Sequence, residues 1–132
     1  MLDTGTMAQT YQELICWQLA HQLKLEVFAF TDRLPAKRDR DFCDDIRASS
    51  RSAPSNIAEG FGRETHREFA NFLAIARASL IETANHLQDA LECGYLGPDE
   101  YERPTKLAVS ALKTTTRLQS YLYRTPDRRR GK

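Results

Sequence analysis

Four cations near the end of the chain have the spacing of a phosphate contact. Lys106, Lys113, Arg117 and Arg124 follow one another at intervals of 7, 4 and 7 residues, which places all four within about 40° on one face of a helix. Arg128, Arg129, Arg130 and Lys132 prolong the line, and no acid interrupts residues 103–126. A continuous cationic stripe neutralises phosphates and releases counterions, giving salt-sensitive binding to RNA or DNA with little base preference. The same residues equally suit a solvated helix face paired with acidic side chains of a neighbouring helix or subunit. Spacing alone leaves both readings open.

A second polar constellation lies in the middle of the chain. Asp45, Ser52, Asn56, Glu59 and Arg63 recur at helical spacing and are expected to form one hydrogen-bonded seam, with Asn56 and Glu59 satisfying backbone groups freed by Pro54 and by a glycine-terminated helix end. An enzyme built around Glu59 with Asn56 or His66 is the less favoured reading. Gly60 and Gly62 suggest a tight turn, but the third glycine of GxGxxG and the GK[ST] of a phosphate loop are absent. A di-iron bundle needs two Glu-x-x-His pairs, yet Gln18, Arg63 and Thr83 stand three residues before His21, His66 and His86. Glu82, His86 and Asp89 can share a helix face, which reads as solvated surface. GxSxG and HExxH are also missing. No catalytic, cofactor-binding or metal-ligating residue is assigned, and no cofactor is expected.

Apolar periodicity near 3.6 predicts four amphipathic helices to carry these residues, with no convincing strand alternation. The first is expected from about Tyr11 to Arg33, opened by a capping box of Thr10 and Glu13 and stopped before Pro35, with Cys16, Leu19, Leu23, Val27, Phe30 and Leu34 in the core. The second buries Phe42, Ile46, Ala53, Ile57 and Phe61, and Pro54 inside it predicts a kink or break near residues 50–54. The third has Thr65 as N-cap, Glu68 at N3, a stripe of Phe69, Phe72, Leu73, Ala76, Leu80, Ala84, Leu87 and Leu91, and Gly94 as its stop. The fourth starts around Gly97 and Pro98, buries Leu107, Ala111, Leu118, Tyr121 and Leu122, and is expected to bend or restart at Pro104.

On the first helix Leu14, Trp17, Leu25 and Phe28 fall about 120° or more from the core stripe. A helix apolar nearly all round is buried nearly all round, so a second copy of the chain is expected to cover these four residues. The 132 residues are 28% charged and 41% hydrophobic, which fits one ordinary globular domain. The expected division is a loose tail over 1–9, a bundle over 10–124 and a basic tail over 125–132. No run of about 18 apolar residues and no secretory leader is evident, so a cytoplasmic protein with no membrane partner is expected. Three cysteines, Cys16, Cys43 and Cys93, are spaced too widely for a zinc ribbon. The net charge of +1 conceals −7 over residues 1–102 and +8 over 103–132, an acidic body carrying a basic element.

The stretch PSNIAEGFGR, Pro54 with Ser55, Asn56, Glu59, Gly60, Gly62 and Arg63 among its residues, is the most specific in the chain. With Trp17, Gln18, Ala20, the Leu34-Pro35 pair, Glu68-Phe69, Phe72-Leu73, residues 74–80 and Gly94-Tyr95-Leu96, it resembles the bacterial four-helix bundle proteins also called ribosomal RNA intervening-sequence proteins, over about residues 11–97. That resemblance implies an up-and-down bundle assembling as a homopentamer with no established enzymatic activity. The family is similar in structure to the accessory protein of diversity-generating retroelements, a basic pentamer that binds nucleic acid and a reverse transcriptase. Arg38, Asp45 and Ala48 depart from the residues common in the family.

The sequence thus predicts an all-α, antiparallel up-and-down four-helix bundle that forms a homo-oligomer, with the resemblance adding five as its number. The expected role is a non-enzymatic binding or scaffold module associated with RNA or DNA through the basic stripe. The alternative is a protein-interaction adaptor without a nucleic-acid role.

Overall fold

A computed structural model describes residues 8–127 as four α-helices, with no strand among the described residues. They are α1 (Ile15–Thr31), α2 (Arg40–Phe61), α3 (His66–Glu92) and α4 (Pro98–Arg124), with short 3₁₀ turns at Tyr11–Glu13 and Ala36–Arg38. Each helix packs on its neighbour in sequence, and α4 closes back on α1. The cross-helix bonds run in opposite chain directions, which makes neighbours antiparallel. Ser49 meets Thr83 and Ser52 meets Ser79 between α2 and α3 (2.8 Å each). Gln88 accepts from Tyr101, and Gln119 donates to the Ala70 carbonyl, between α3 and α4.

The apolar stripes converge on one core containing Leu23, Val27, Ile46, Ile57, Leu73, Leu80, Leu87 and Leu118. Tucked among them are hydroxyls that satisfy themselves on the preceding turn: Thr31 bonds the Val27 carbonyl, Thr83 that of Ser79 and Thr115 that of Ala111 (2.7, 2.8 and 2.7 Å). Cys43 is buried with its thiol donating to the Ala36 carbonyl at 3.2 Å. Cys16 is buried as well, and Cys93 is exposed.

Helix ends follow local chemistry. Thr65 Oγ1 accepts from the Glu68 N–H (3.1 Å), as its position before α3 requires. After α3, Gly94 adopts φ +77°, and the N–H groups of Gly94 and Tyr95 bond the Leu91 and Ala90 carbonyls (3.2 and 2.8 Å). This is a Schellman stop, which favours glycine at the left-handed position. Glu100 reaches back to the Gly97 N–H (3.0 Å), and that bond, followed by the Arg33 guanidinium, holds its carboxyl below the usual range. Asp39 caps α2 by accepting from Phe42 N–H (3.1 Å) and also accepts the Tyr95 hydroxyl (2.5 Å). These bonds, Tyr95 first, lower the Asp39 pKa, and the same contact pushes the Tyr95 phenol up to about 12.

Several boundaries differ from the sequence expectation. Residues 11–13 form a 3₁₀ turn, Thr10 makes no side-chain cap bond, and α1 begins only at Ile15. This turn folds Leu14 inward, leaving it 0% exposed within the core. At the other end α1 stops at Thr31, so Leu34 lies beyond the helical register and is 60% exposed instead of buried. Pro54 and Pro104 interrupt neither helix: both are buried and α2 and α4 run on through them. Each proline frees one carbonyl, and close packing offsets that loss.

Gly60 is where α2 comes nearest to α3. A Cβ there would lie 2.8 Å from Phe69 Cδ1 and from Phe72 Cβ. Gly60→Ala is expected to cost about 1–3 kcal/mol in urea unfolding, because the aromatic rings must shift; a midpoint unchanged from wild type would show that the seam yields freely. The Asp39–Tyr95 bond has a pH signature. A lowered Asp39 pKa stabilises fully above its unfolded value of 3.8 and loses that contribution as pH falls through the folded value. A raised Tyr95 pKa stabilises fully below 10.0 and loses it as pH climbs through about 12. Tyr95→Phe should therefore lower the melting temperature evenly from about pH 5 to 9 and approach wild type at both extremes, whereas a constant gap from acid to alkali would contradict this.

Candidate functional site

Lys106, Lys113, Arg117 and Arg124 are all exposed on α4, on the side opposite Pro104, Ala108, Ala111, Leu118 and Leu122 in the core. Lys106 pairs with Glu102 one turn earlier (3.6 Å), and Arg124 Nε bonds the Ser120 carbonyl (3.2 Å). Lys113 and Arg117 have no carboxylate partner among the described residues. One cation of α4 outside the stripe does reach across helices: Arg103 pairs with Glu26 of α1. Arg128, Arg129, Arg130 and Lys132 lie outside the described residues. The segment just before them is tied down, because Asp127 Oδ1 accepts from the His66 N–H (2.6 Å) and His66 Nδ1 bonds the Thr125 carbonyl (2.8 Å) at the start of α3.

The polar seam of α2 is only partly assembled. Asn56 donates to both the carbonyl and the hydroxyl of Ser52 (2.8 and 3.0 Å), and Ser52 continues to Ser79. The carbonyl freed by Pro54 is that of Ser50, four residues back, so Asn56 and Glu59 do not fill the vacancy expected of them. Glu59 instead pairs with Arg63 (3.0 Å) on exposed surface, and the Arg63 guanidinium lies 4.7 Å from the centre of the Phe72 ring. Asp45 and Ser55 are exposed and Gly62 turns the chain out of α2. Asn56, Glu59 and His66 are each bound to a different partner and share no hydrogen bond.

On α1, the four residues expected to face a second copy divide. Leu14 belongs to the core. Trp17 is partly buried between Tyr11 and His21, stacked on the imidazole at 4.6 Å. Phe28 is partly covered by Arg47 and Arg51, whose guanidinium carbons lie 4.9 and 5.1 Å from its ring centre. Leu25, 53% exposed, remains bare and borders a groove of about 330 Å³ with Ala29, Phe30, Leu96 and Pro104, rimmed by the Arg33–Glu100 pair (2.8 Å).

With this arrangement in view, the comparison with known families is decisive: the model of the 23S rRNA-intervening sequence protein matches residues 12–117. The chain belongs to that family. No curated protein matches it. The family match takes in α1, α2, α3 and α4 as far as Arg117, so Lys106, Lys113 and Arg117 fall inside it and Arg124 outside. No group of three or more His, Cys, Asp or Glu is placed to hold a metal ion among the described residues; Glu82 and His86 approach at 3.5 Å without Asp89. Nor is any described helix long and apolar enough to cross a membrane.

Sequence reasoning missed Arg77 and Gln119, whose 2.8 Å bond ties α3 to α4 beneath the surface. Their signal, a polar residue at a core position of each helix, emerges only once the helices are paired. For the seam, Asn56→Ala should cost about 1 kcal/mol in urea unfolding through its lost bonds, while Glu59→Gln should stay within about 0.5 kcal/mol, as befits an exposed i,i+4 pair. A larger loss for Glu59 than for Asn56 would reverse that ranking.

Proposed function

We propose that this chain is a non-enzymatic, self-associating helical module that contacts RNA or DNA phosphates through the outer face of α4. The observation that carries the reading is the pair Lys113 and Arg117, exposed at the centre of the stripe with no carboxylate partner among the described residues. Within the stripe Lys106 is paired with Glu102, so the two central cations are the ones left to a phosphate. The name of the family, which refers to an intervening sequence of 23S rRNA, favours RNA as the partner.

Self-association is centred on Leu25 and the adjoining groove, where apolar surface is open and rimmed by charge. Five copies, the number implied by the family resemblance, repeat the α4 stripe around a ring and turn a weak phosphate contact into avidity. A cytoplasmic location accords with that partner.

The test is binding of a short RNA at several salt concentrations by the wild type and by Lys113→Glu/Arg117→Glu. The double reversal should weaken binding at least about tenfold at low salt and flatten the slope of log K against log salt by about 2. Light scattering on both proteins should give the same mass, several times that of one chain. Unaltered RNA binding in the variant, or a monomer at micromolar concentration, would overturn the corresponding half of this reading; pull-downs that survive nuclease would favour a protein partner.

A further inference from the structure

The outer side of α3, opposite Leu73, Leu80 and Leu87 in the core, keeps apolar surface open to water. Ile75 and Ile81 stand there within about 60° of Ala78 around the helix, 49% and 55% exposed. Two isoleucines on one uncovered face are surface that a partner would remove from water. Arg67, Asn71, Asn85 and Asp89 continue the same face toward the two ends of α3, and all four are exposed. Neither Arg67 nor Asp89 has an ion-pair partner among the described residues.

The order of these residues is complementary to itself in reverse. Counted from Ala78, Ile75 and Ile81 lie three residues to either side, Asn71 and Asn85 seven, and Arg67 and Asp89 eleven. Two copies of α3 laid antiparallel about a two-fold axis at Ala78 bring residues equally far from that axis to the same level, so each copy offers the other its complement. The isoleucines of one helix then pack beside Ala74 and Ala78 of the other. The asparagine amides meet and can exchange a hydrogen bond, which fixes the register. Arginine meets aspartate at both ends of a seam about 33 Å long. Glu82 falls opposite Ala74, its carboxylate 3.5 Å from His86 Nε2, and so confronts no like charge. A parallel pairing would instead set Arg67 on Arg67 and Asp89 on Asp89. A different protein would have to carry this order reversed, whereas α3 itself already does.

We infer that the outer face of α3 is a two-fold contact surface for a second copy of this chain, with Ala78 on the axis and Arg67 of each copy paired with Asp89 of the other. The contact is separate from the self-association proposed around Leu25 of α1, and it does not depend on the stripe of α4. Because a two-fold contact closes on itself, it adds one copy at this face and no more.

The experiment is oxidative crosslinking of chains carrying Cys93→Ser, which removes the exposed thiol. Helix axes about 9 Å apart leave facing Cα atoms roughly 4–5 Å apart, within reach of a disulfide. Ala78→Cys should therefore join to itself under copper phenanthroline and give a two-chain product at micromolar concentration. Asn71→Cys and Asn85→Cys, each about 21 Å along the seam from the same residue of the other copy, should give that product only when mixed. Arg67→Glu or Asp89→Lys added to Ala78→Cys should lower its yield several-fold, and the two together should restore it. All these positions are exposed, and circular dichroism verifies that each variant is folded. Leu25→Asp, which opposes association at the groove, should leave the Ala78→Cys yield unchanged. No two-chain product from Ala78→Cys, equal products from all three cysteines taken alone, or a charge exchange that stays as low as either single reversal overturns the two-fold contact. Loss of the Ala78→Cys product in Leu25→Asp overturns it as well, because the copies would then be joined at the groove. A Leu25→Asp chain that keeps both this product and the wild-type mass in light scattering leaves the α3 contact standing and removes the groove.

Discussion

Gly60 brings the backbone of α2 so near α3 that an added Cβ would sit 2.8 Å from Phe69 and Phe72, and much else in the bundle follows from this closeness. Helices approach to the distance their contact side chains allow, and along this seam those side chains are small. Ser49 and Ser52 meet Thr83 and Ser79 hydroxyl to hydroxyl, which satisfies polar atoms at a depth where water is scarce. With the seam closed, Ile46 and Ile57 are directed to the common core and Asn56 must spend its amide on Ser52. The buried part of the conspicuous motif, Pro54, Ile57 and Gly60, therefore serves packing, while Ser55, Glu59 and Arg63 stay exposed.

Charge is distributed to match. Where acids stand beside bases across helices, as in Arg33 with Glu100 and Arg103 with Glu26, they join α1 to α4. Such exposed pairs contribute little stability each, and they neutralise the cations that take part. Lys113 and Arg117 on α4 are among the cations that no carboxylate neutralises among the described residues. Net charge near zero thus coexists with an exposed cationic stripe on α4.

The helical stripes were legible because burial repeats with the helix period, and the Thr65 and Gly94 ends because each depends on a single residue's local chemistry. Leu14 and Leu34 were misplaced for a shared reason: periodicity was extended past the true helix ends, and outside a helix the 3.6 period says nothing about direction. Pro54 misled in another way, since its propensity penalty is local whereas the burial that offsets it is set by the folded bundle. The α4 stripe needs only spacing on one helix, so sequence sufficed to place it. The cluster on Phe28 needs two helices brought together in register, and nothing in the linear order of Phe28, Arg47 and Arg51 announces it.

The Schellman stop also decides which sulfur is chemically approachable. Cys16 and Cys43 are enclosed by the core, while Cys93 stands open at the cap of α3, just before Gly94 reverses the chain. A thiol-directed dye would therefore mark one place on the chain, at the same end of the bundle as the Asp39–Tyr95 bond.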